Sequence, residues 1–395
     1  MKTKDSRFHP EKFIARHVRD VPRSGIRDFF EIVSQRDDVI SLGIGEPDFV
    51  TPWHIRESAI YALDHGATSY TPNLGLLRLR NEISAYIKRS YNATYDPKSE
   101  VLVTVGVSEA LDIAIRAITD PGDEIIYHEP CYVSYAPIIT FTHGKPVKVE
   151  TSAKNGFTLN RAMVEPLVTD RTKALLLNFP TNPTGGVLTE EEINGLADLA
   201  AEKNFIIIAD EIYSELTYDT KRTSILSRPD IRDRVIFLNG CSKAWAMTGF
   251  RIGFSCATPV LTEAMMKIHQ YSMLCAPVLS QEAAVEALRN GDSDIAKMRD
   301  EYRRRRNYVC SELNAMGLPC HTPQGAFYVF PGIAPSGLSS YDFAMRLLEE
   351  EQVACVPGTA FGPGGEGFLR CSYATGMDDL KEAMLRMRRF VQRLI

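Results

Sequence analysis

Short apolar runs that end in chemistry-bearing residues recur along the chain. Phe205-Ile206-Ile207-Ile208-Ala209 is wholly apolar and rich in β-branched side chains, which predicts a strand covered on both faces, as in a parallel sheet. Asp210 and Glu211 follow at once, with Tyr213 close behind. Ala174-Leu175-Leu176-Leu177 predicts a second strand, running into Asn178-Phe179-Pro180-Thr181-Asn182-Pro183-Thr184-Gly185, a turn dense in Pro, Asn and Gly. Val101-Leu102-Val103-Thr104-Val105 predicts a third. It passes through Gly106-Val107-Ser108 into a helical pattern with Leu111, Ala114, Ile115 and Ile118 on one face, stopped by Pro121-Gly122.

Ligands of open α/β sheets gather outside the carboxyl ends of the strands, so Asp210, Glu211 and Asn182 stand where chemistry is expected. An Asp after a strand more commonly serves as a helix N-cap. The turn before the helix offers backbone N–H donors, the positive end of a helix dipole and the Ser108 hydroxyl, together an anion site of low specificity by itself.

In Ser242-Lys243-Ala244-Trp245-Ala246-Met247-Thr248-Gly249-Phe250-Arg251-Ile252-Gly253 a lysine and an arginine lie among small and apolar residues. A lone lysine ordinarily keeps its head in water. Among Ala, Trp, Met and Phe its ammonium pays for desolvation, so its pKa falls and its amine becomes a nucleophile able to form a Schiff base. Arg251 adds a planar fork of donors suited to phosphate, and the pair suits an aldehyde carrier held at both ends.

Together these segments resemble the class I aminotransferases, pyridoxal-phosphate enzymes of fold type I, over nearly the whole chain. The resemblance runs from Ser41-Leu42-Gly43-Ile44-Gly45-Glu46-Pro47-Asp48-Phe49 and Tyr70-Thr71-Pro72-Asn73-Leu74-Gly75, through Asn182-Pro183-Thr184-Gly185, Asp210-Glu211-Ile212-Tyr213 and the lysine segment, to Gly367-Phe368-Leu369-Arg370. It implies an α/β fold with a large domain, built on a mostly parallel central sheet flanked by helices, and a smaller α/β domain. The aromatic, aspartate and N-acetyl-diaminopimelate aminotransferases of bacteria and archaea are the nearest in look.

The resemblance also implies roles. Lys243 matches the Schiff-base lysine, Asp210 the partner of the pyridine nitrogen, and Tyr213 and Asn182 the donors to the ring's phenolic oxygen. Arg251, Val107 and Ser108 match the phosphate cradle, and Tyr132 the aromatic side chain stacked on the ring. Tyr70 matches a tyrosine that reaches the phosphate from a second subunit, so a homodimer with shared active sites is expected. Arg370 matches the arginine for the substrate α-carboxylate, and Gly45 a backbone contact to the same group. Gly240 is a departure, standing where some members have a phosphate-binding serine. A cis peptide at Asn182-Pro183 is a further expectation from relatives. Ile26 falls near the side-chain pocket lined by the N-terminal arm, with Phe327 and Phe361 as further candidates. The expected reaction is therefore transfer of an amino group from a hydrophobic, aromatic or aspartate-like amino acid to a 2-oxo acid such as 2-oxoglutarate, by ping-pong kinetics. A carbon-sulfur lyase on the same fold would keep the same principal residues.

Composition limits the alternatives. At 395 residues the chain exceeds the usual single-core size. The resemblance implies a division into 1–46 as N-terminal arm and part of the small domain, 47–290 as large cofactor domain and 291–395 as small domain opening with a long helix. A net charge of −5 gives no basic footprint for nucleic acid. Arg303-Arg304-Arg305-Arg306 lies in a helical pattern from about Ser293 to Met316 and reads as a solvated face. Eight cysteines without a C-x-x-C pair and eight histidines without H-x-x-x-H spacing indicate neither a disulfide framework nor a zinc site, and hence no metal and a reducing, cytoplasmic compartment. No apolar run reaches the length of a membrane span, and residues 1–24 carry Asp5, Glu11 and Asp20 without the apolar core of a signal peptide. Gly362-Pro363-Gly364-Gly365-Glu366-Gly367 matches G-x-G-x-x-G and would suggest a nicotinamide oxidoreductase. That motif needs a strand before it and a helix opening within it, whereas Phe368-Leu369-Arg370-Cys371-Ser372-Tyr373 predicts a strand after it.

Overall fold

A computed structural model describes residues 9–23, 25 and 38–395. A short strand β1 (Ile40–Ser41) precedes β2 (Val101–Thr104), β3 (Glu124–Glu129), β4 (Lys145–Glu150), β5 (Thr172–Asn178), β6 (Ile206–Asp210), β7 (Val235–Gly240) and β8 (Gly253–Cys256). Strands β2 to β8 form one seven-stranded sheet in the order β2-β8-β7-β6-β5-β3-β4. β8 is antiparallel to both its neighbours, and the other pairs are parallel. Later come β9 (Tyr328–Val329), β10 (Val353–Ala354), β11 (Val356–Pro357) and β12 (Leu369–Ser372). β11, β12 and β9 form a three-stranded antiparallel sheet, and β10 pairs in parallel with β1.

The predicted strand at 205–209 is β6, registered between β5 and β7 with Ile208 opposite Leu176 and Ile236. Its side chains alternate in destination. Ile207 and Ala209 join Leu175, Leu177, Val235 and Phe237 in one core, while Ile208 joins Leu176, Ile236 and Leu238 in another. Each fully buried Ile, Leu or Val contributes about 1.5–3 kcal/mol, so the two faces together fix the register of the strand.

The predicted helix after β2 spans Gly106–Ile118. Gly106 enters it at φ +75°, a conformation glycine adopts without penalty, and an added Cβ there would meet the Arg251 guanidinium at 2.7 Å. The Glu109 carboxylate accepts from the Val105 N–H at 2.5 Å and caps the helix entry.

The long helix spans Asp292–Ala315, close to its predicted bounds, but the reading of its four arginines as one solvated face needs correction. Arg305 and Arg306 are buried. Arg305 Nη1 reaches both carboxylate oxygens of Asp48 at 2.9 Å, and Arg306 donates to the Pro323 carbonyl and to Asp219. A helix surrounded by protein on two sides hides charges that sequence alone assigns to water, and pairing satisfies them. The glycine-rich run at 362–367 lies in short turns between β11 and β12 rather than between a strand and a long helix, so the dinucleotide reading falls.

Candidate active site

The carboxyl ends of β5, β6 and β7 open onto a cavity of about 530 Å³. The turn at 106–108, the lysine segment, the 44–46 stretch and Arg370 of β12 complete its wall. Of the residues singled out from sequence, Gly45, Val107, Ser108, Tyr132, Asn182, Asp210, Tyr213, Lys243, Arg251 and Arg370 all line it. Residues as far apart in the chain as Gly45 and Arg370 meet because β1 pairs with β10 and the Ser372 N–H donates to the Leu42 carbonyl.

Lys243 follows β7 in a short helix, and its Nζ donates to the Gly45 carbonyl at 2.6 Å. Burial lowers its pKa to about 8, against the opposing pull of Glu46 and with help from Arg370 and Arg251. About a tenth of the amine is therefore unprotonated at pH 7, far more than for an ordinary lysine. Asp210 Oδ2 accepts from the Tyr135 hydroxyl at 2.8 Å, and Oδ1 from the Ile212 N–H at 3.2 Å. Burial raises its pKa to about 6, while these donors and Lys243 hold it down. Beside it, Asn178 Nδ2 donates to the Asp210 carbonyl, and Asn178 Oδ1 accepts from the Asn182 N–H, which fixes the turn that presents Asn182.

Arg370 is almost wholly buried. Its Nη1 donates to Asn182 Oδ1 at 3.1 Å and its Nη2 to the Gly43 carbonyl, while Nε is buried without a hydrogen-bond partner. The rings of Tyr328 and Phe361 lie 4.6 and 4.8 Å from its guanidinium carbon. Arg251 has a positive φ of 51° and donates to the Thr248 carbonyl at 2.9 Å, its guanidinium packed against Gly106. Thr248 in turn donates to the Glu46 carboxylate at 3.0 Å across the mouth of the cavity.

Tyr70 is 84% exposed and lies outside the cavity of its own chain. Ile26 lies outside the described residues. Phe327 and Phe361 do not line the cavity but are fully buried in hydrophobic clusters behind it. The Asn182-Pro183 peptide is cis, as expected. At Gly240 an added Cβ would come 2.8 Å from the Ile252 carbonyl oxygen, so this backbone leaves no room for a serine there. Sequence reading missed Tyr135, Asn178 and Tyr328, which orient Asp210, Asn182 and Tyr213.

The donor set fits pyridoxal phosphate. Arg251 and the helix entry at 106–108 present donors at one end, matching a phosphate, with Gly106 too crowded to bear a side chain. Lys243 matches an aldehyde, and the partly ionised Asp210 a protonated ring nitrogen. Among the described residues no cluster of His, Cys, Asp or Glu suits a metal ion, and no helix is long and apolar enough to cross a membrane.

Known proteins agree with this geometry. The family profile "Aminotransferase class I and II" matches residues 37–386. A putative aminotransferase of Bacillus subtilis, YugH, is 51% identical over 96% of this chain and 99% of its own. A probable N-acetyl-LL-diaminopimelate aminotransferase of the same organism is 46% identical over 95% of this chain and 94% of its own. The crystal structure of the aromatic aminotransferase of Pyrococcus horikoshii superposes with a TM-score of 0.89 at 44% identity, covering 94% of this chain and 100% of that one. With Arg370, Lys243 and Arg251 in one cavity, the chain belongs to the class I and II aminotransferases, which are pyridoxal-phosphate enzymes of fold type I.

Proposed function

We propose that this aminotransferase moves the amino group of a hydrophobic or aromatic L-amino acid to 2-oxoglutarate by ping-pong turnover. The observation that carries the reading is the buried Lys243 amine, its pKa lowered to about 8, in one cavity with the buried Arg370 fork. Pyridoxal phosphate, when bound, supplies an aldehyde for the substrate amine and a ring that draws off the electron pair left at Cα. Lys243 Nζ takes the proton from the substrate Cα and redelivers it as an acid. Asp210 would keep a proton on the ring nitrogen, Tyr213 and Asn182 would donate to the phenolic oxygen, and Tyr132 would support the ring. Arg251, Val107 and Ser108 would hold the phosphate. Arg370, assisted by the backbone at Gly45, grips the carboxylate that every amino and 2-oxo acid in the cycle shares, which lets one pocket serve both half-reactions.

The preference for a hydrophobic donor draws support from Ile44 and Tyr132 in the cavity wall, with Ile26 as a proposed further contact. Among relatives, an aromatic-amino-acid aminotransferase of Thermococcus litoralis is 43% identical. The exposure of Tyr70 suits a residue that serves the cavity of a second copy, so we take the working form to be a homodimer, placed in the cytoplasm. We further divide the chain into 1–46 as arm and part of the small domain, the cofactor-binding part 47–290, which holds the seven-stranded sheet, and the part 291–395, which holds β9 to β12.

The test is the visible spectrum of the purified protein with pyridoxal phosphate, before and after single amino acids are added without any 2-oxo acid. A yellow band that phenylalanine or tyrosine bleaches is expected, and absence of the band would refute the cofactor assignment to Lys243. A kcat/KM for aspartate far above that for phenylalanine would sink the donor preference. Pyruvate, ammonia and a thiol released from a cysteine conjugate faster than amino transfer would make the protein a carbon-sulfur lyase. Lys243→Ala should lose turnover while still binding the cofactor noncovalently.

A further inference from the structure

We propose that Tyr328 is a positioning residue with two separable actions, its hydroxyl on Tyr213 and its ring on Arg370. The inference rests on the cofactor and carboxylate roles proposed above for those two residues. Tyr328 lies in β9, paired with Ser372 of β12, the strand that also carries Arg370. It is fully buried and lines the cavity. Its hydroxyl oxygen is 2.8 Å from that of Tyr213, and its ring centroid is 4.6 Å from the Arg370 guanidinium carbon. Gly45 closes the third side, since a Cβ there would come within 2.9 Å of the Tyr328 hydroxyl oxygen.

Each phenol has one proton to give. When Tyr213 gives its proton to an oxygen of a bound ring, the contact between the hydroxyls persists only if Tyr328 donates and Tyr213 accepts. Donors in series strengthen one another, so Tyr328 makes Tyr213 the better donor toward the cavity. Burial raises the pKa of both phenols, which keeps both protons in place at neutral pH.

The ring acts on a different partner. Arg370 lies over the rings of Tyr328 and Phe361 while its Nη atoms are tied to Asn182 and Gly43. The face of an aromatic ring attracts a guanidinium and fixes its plane, which a carboxylate must meet with both oxygens. Removing only the hydroxyl therefore spares Arg370, whereas removing the ring releases the fork.

Tyr328→Phe and Tyr328→Met in the full-length protein loaded with pyridoxal phosphate separate the two actions. A weaker donor at Tyr213 stabilises negative charge on the ring oxygen less, so the pH midpoint of the visible absorbance change should rise in Tyr328→Phe by about 0.5 unit. KM for the amino acid should stay within about twofold of wild type in that variant, and rise about fivefold in Tyr328→Met, which has lost the cation–π face. A midpoint in Tyr328→Phe equal to that of the wild type overturns the hydroxyl action. An equal rise of KM in both variants overturns the division of labour. If the wild-type protein shows no absorbance band, or if borohydride fixes the cofactor to a residue other than Lys243, the underlying reading fails and takes this inference with it. A wild-type band that titrates beside an unmoved Tyr328→Phe overturns this inference alone.

Discussion

The sheet has two sides where β6 ends, and consecutive carboxyl groups occupy one each. Asp210 continues the parity of Ile208 and lines the cavity. Glu211 continues the parity of Ala209 and lies among Leu177, Phe179, Leu188, Ile193 and Ile225. Both residues are 5% exposed, so burial penalises both charges. Asp210 meets a phenol, a backbone N–H and a nearby lysine, and its pKa rises only to about 6. Glu211 has the Ser224 hydroxyl at 2.6 Å on Oε1, and the Ile225 N–H and the Arg222 charge also favour its anion, but burial outweighs them and its pKa rises to about 8. Near neutrality the first is mostly ionised and the second mostly neutral. Equal exposure thus goes with opposite charge states, because on the Glu211 side the cost of burial outweighs the stabilising partners by more.

Substitution on the cavity side should break the contrast most severely. Asp210→Asn should lower kcat by on the order of 10³-fold, since a neutral amide cannot hold the ring nitrogen's proton electrostatically, and steady-state kinetics on the folded variant would check this. Glu211→Gln should leave kcat within about threefold of the wild type, because no reacting atom touches that side. Its effect is on stability. Between the ordinary glutamate pKa of 4.5 and about 8 the folded protein holds a proton that the unfolded chain releases, so the Glu211 contribution is full below that window and is lost as pH rises through it. Glutamine does not titrate. The Tm of Glu211→Gln relative to wild type should therefore improve between about pH 5.5 and about pH 8.5, and a constant difference would refute the neutral-carboxyl account. Ser224→Ala should be the mildest, lowering stability by about 1 kcal/mol and Tm by about 2 °C with kcat unchanged.

The same contrast shows how much of the molecule could be read from sequence. β6 was legible because five apolar residues in a row have few alternatives, and Asp210 was legible because it ends that run. Lys243 and Arg251 stood out as cations in small or apolar company, whereas Arg370 was marked only by the family resemblance. Tyr135 did not, since it opens a seven-residue helix, Tyr135–Phe141, with no side-chain cap to announce it, and its partner Asp210 is distant in sequence. Tyr328 was hidden in a two-residue strand whose partner strand lies some forty positions on. The burial of Arg305 and Arg306 was equally invisible, because Asp48, the carboxylate that pairs with Arg305, lies near the other end of the chain. Local pattern reports what a segment buries, and not what it meets.

The alternation of β6 also bears on how this enzyme can diverge. Trimming a methylene from Ile207 or Ile208 costs about 1 kcal/mol, a loss the sheet can absorb. Deleting one codon from the strand keeps nearly the same composition, yet it turns Glu211 toward the cavity and sends Asp210 into the apolar side. Point changes in this strand are therefore permissive, whereas a single-residue indel exchanges the two carboxyl groups. Lineages of this protein should accumulate Ile, Val and Leu interchanges across 206–208 while the length of the strand stays fixed.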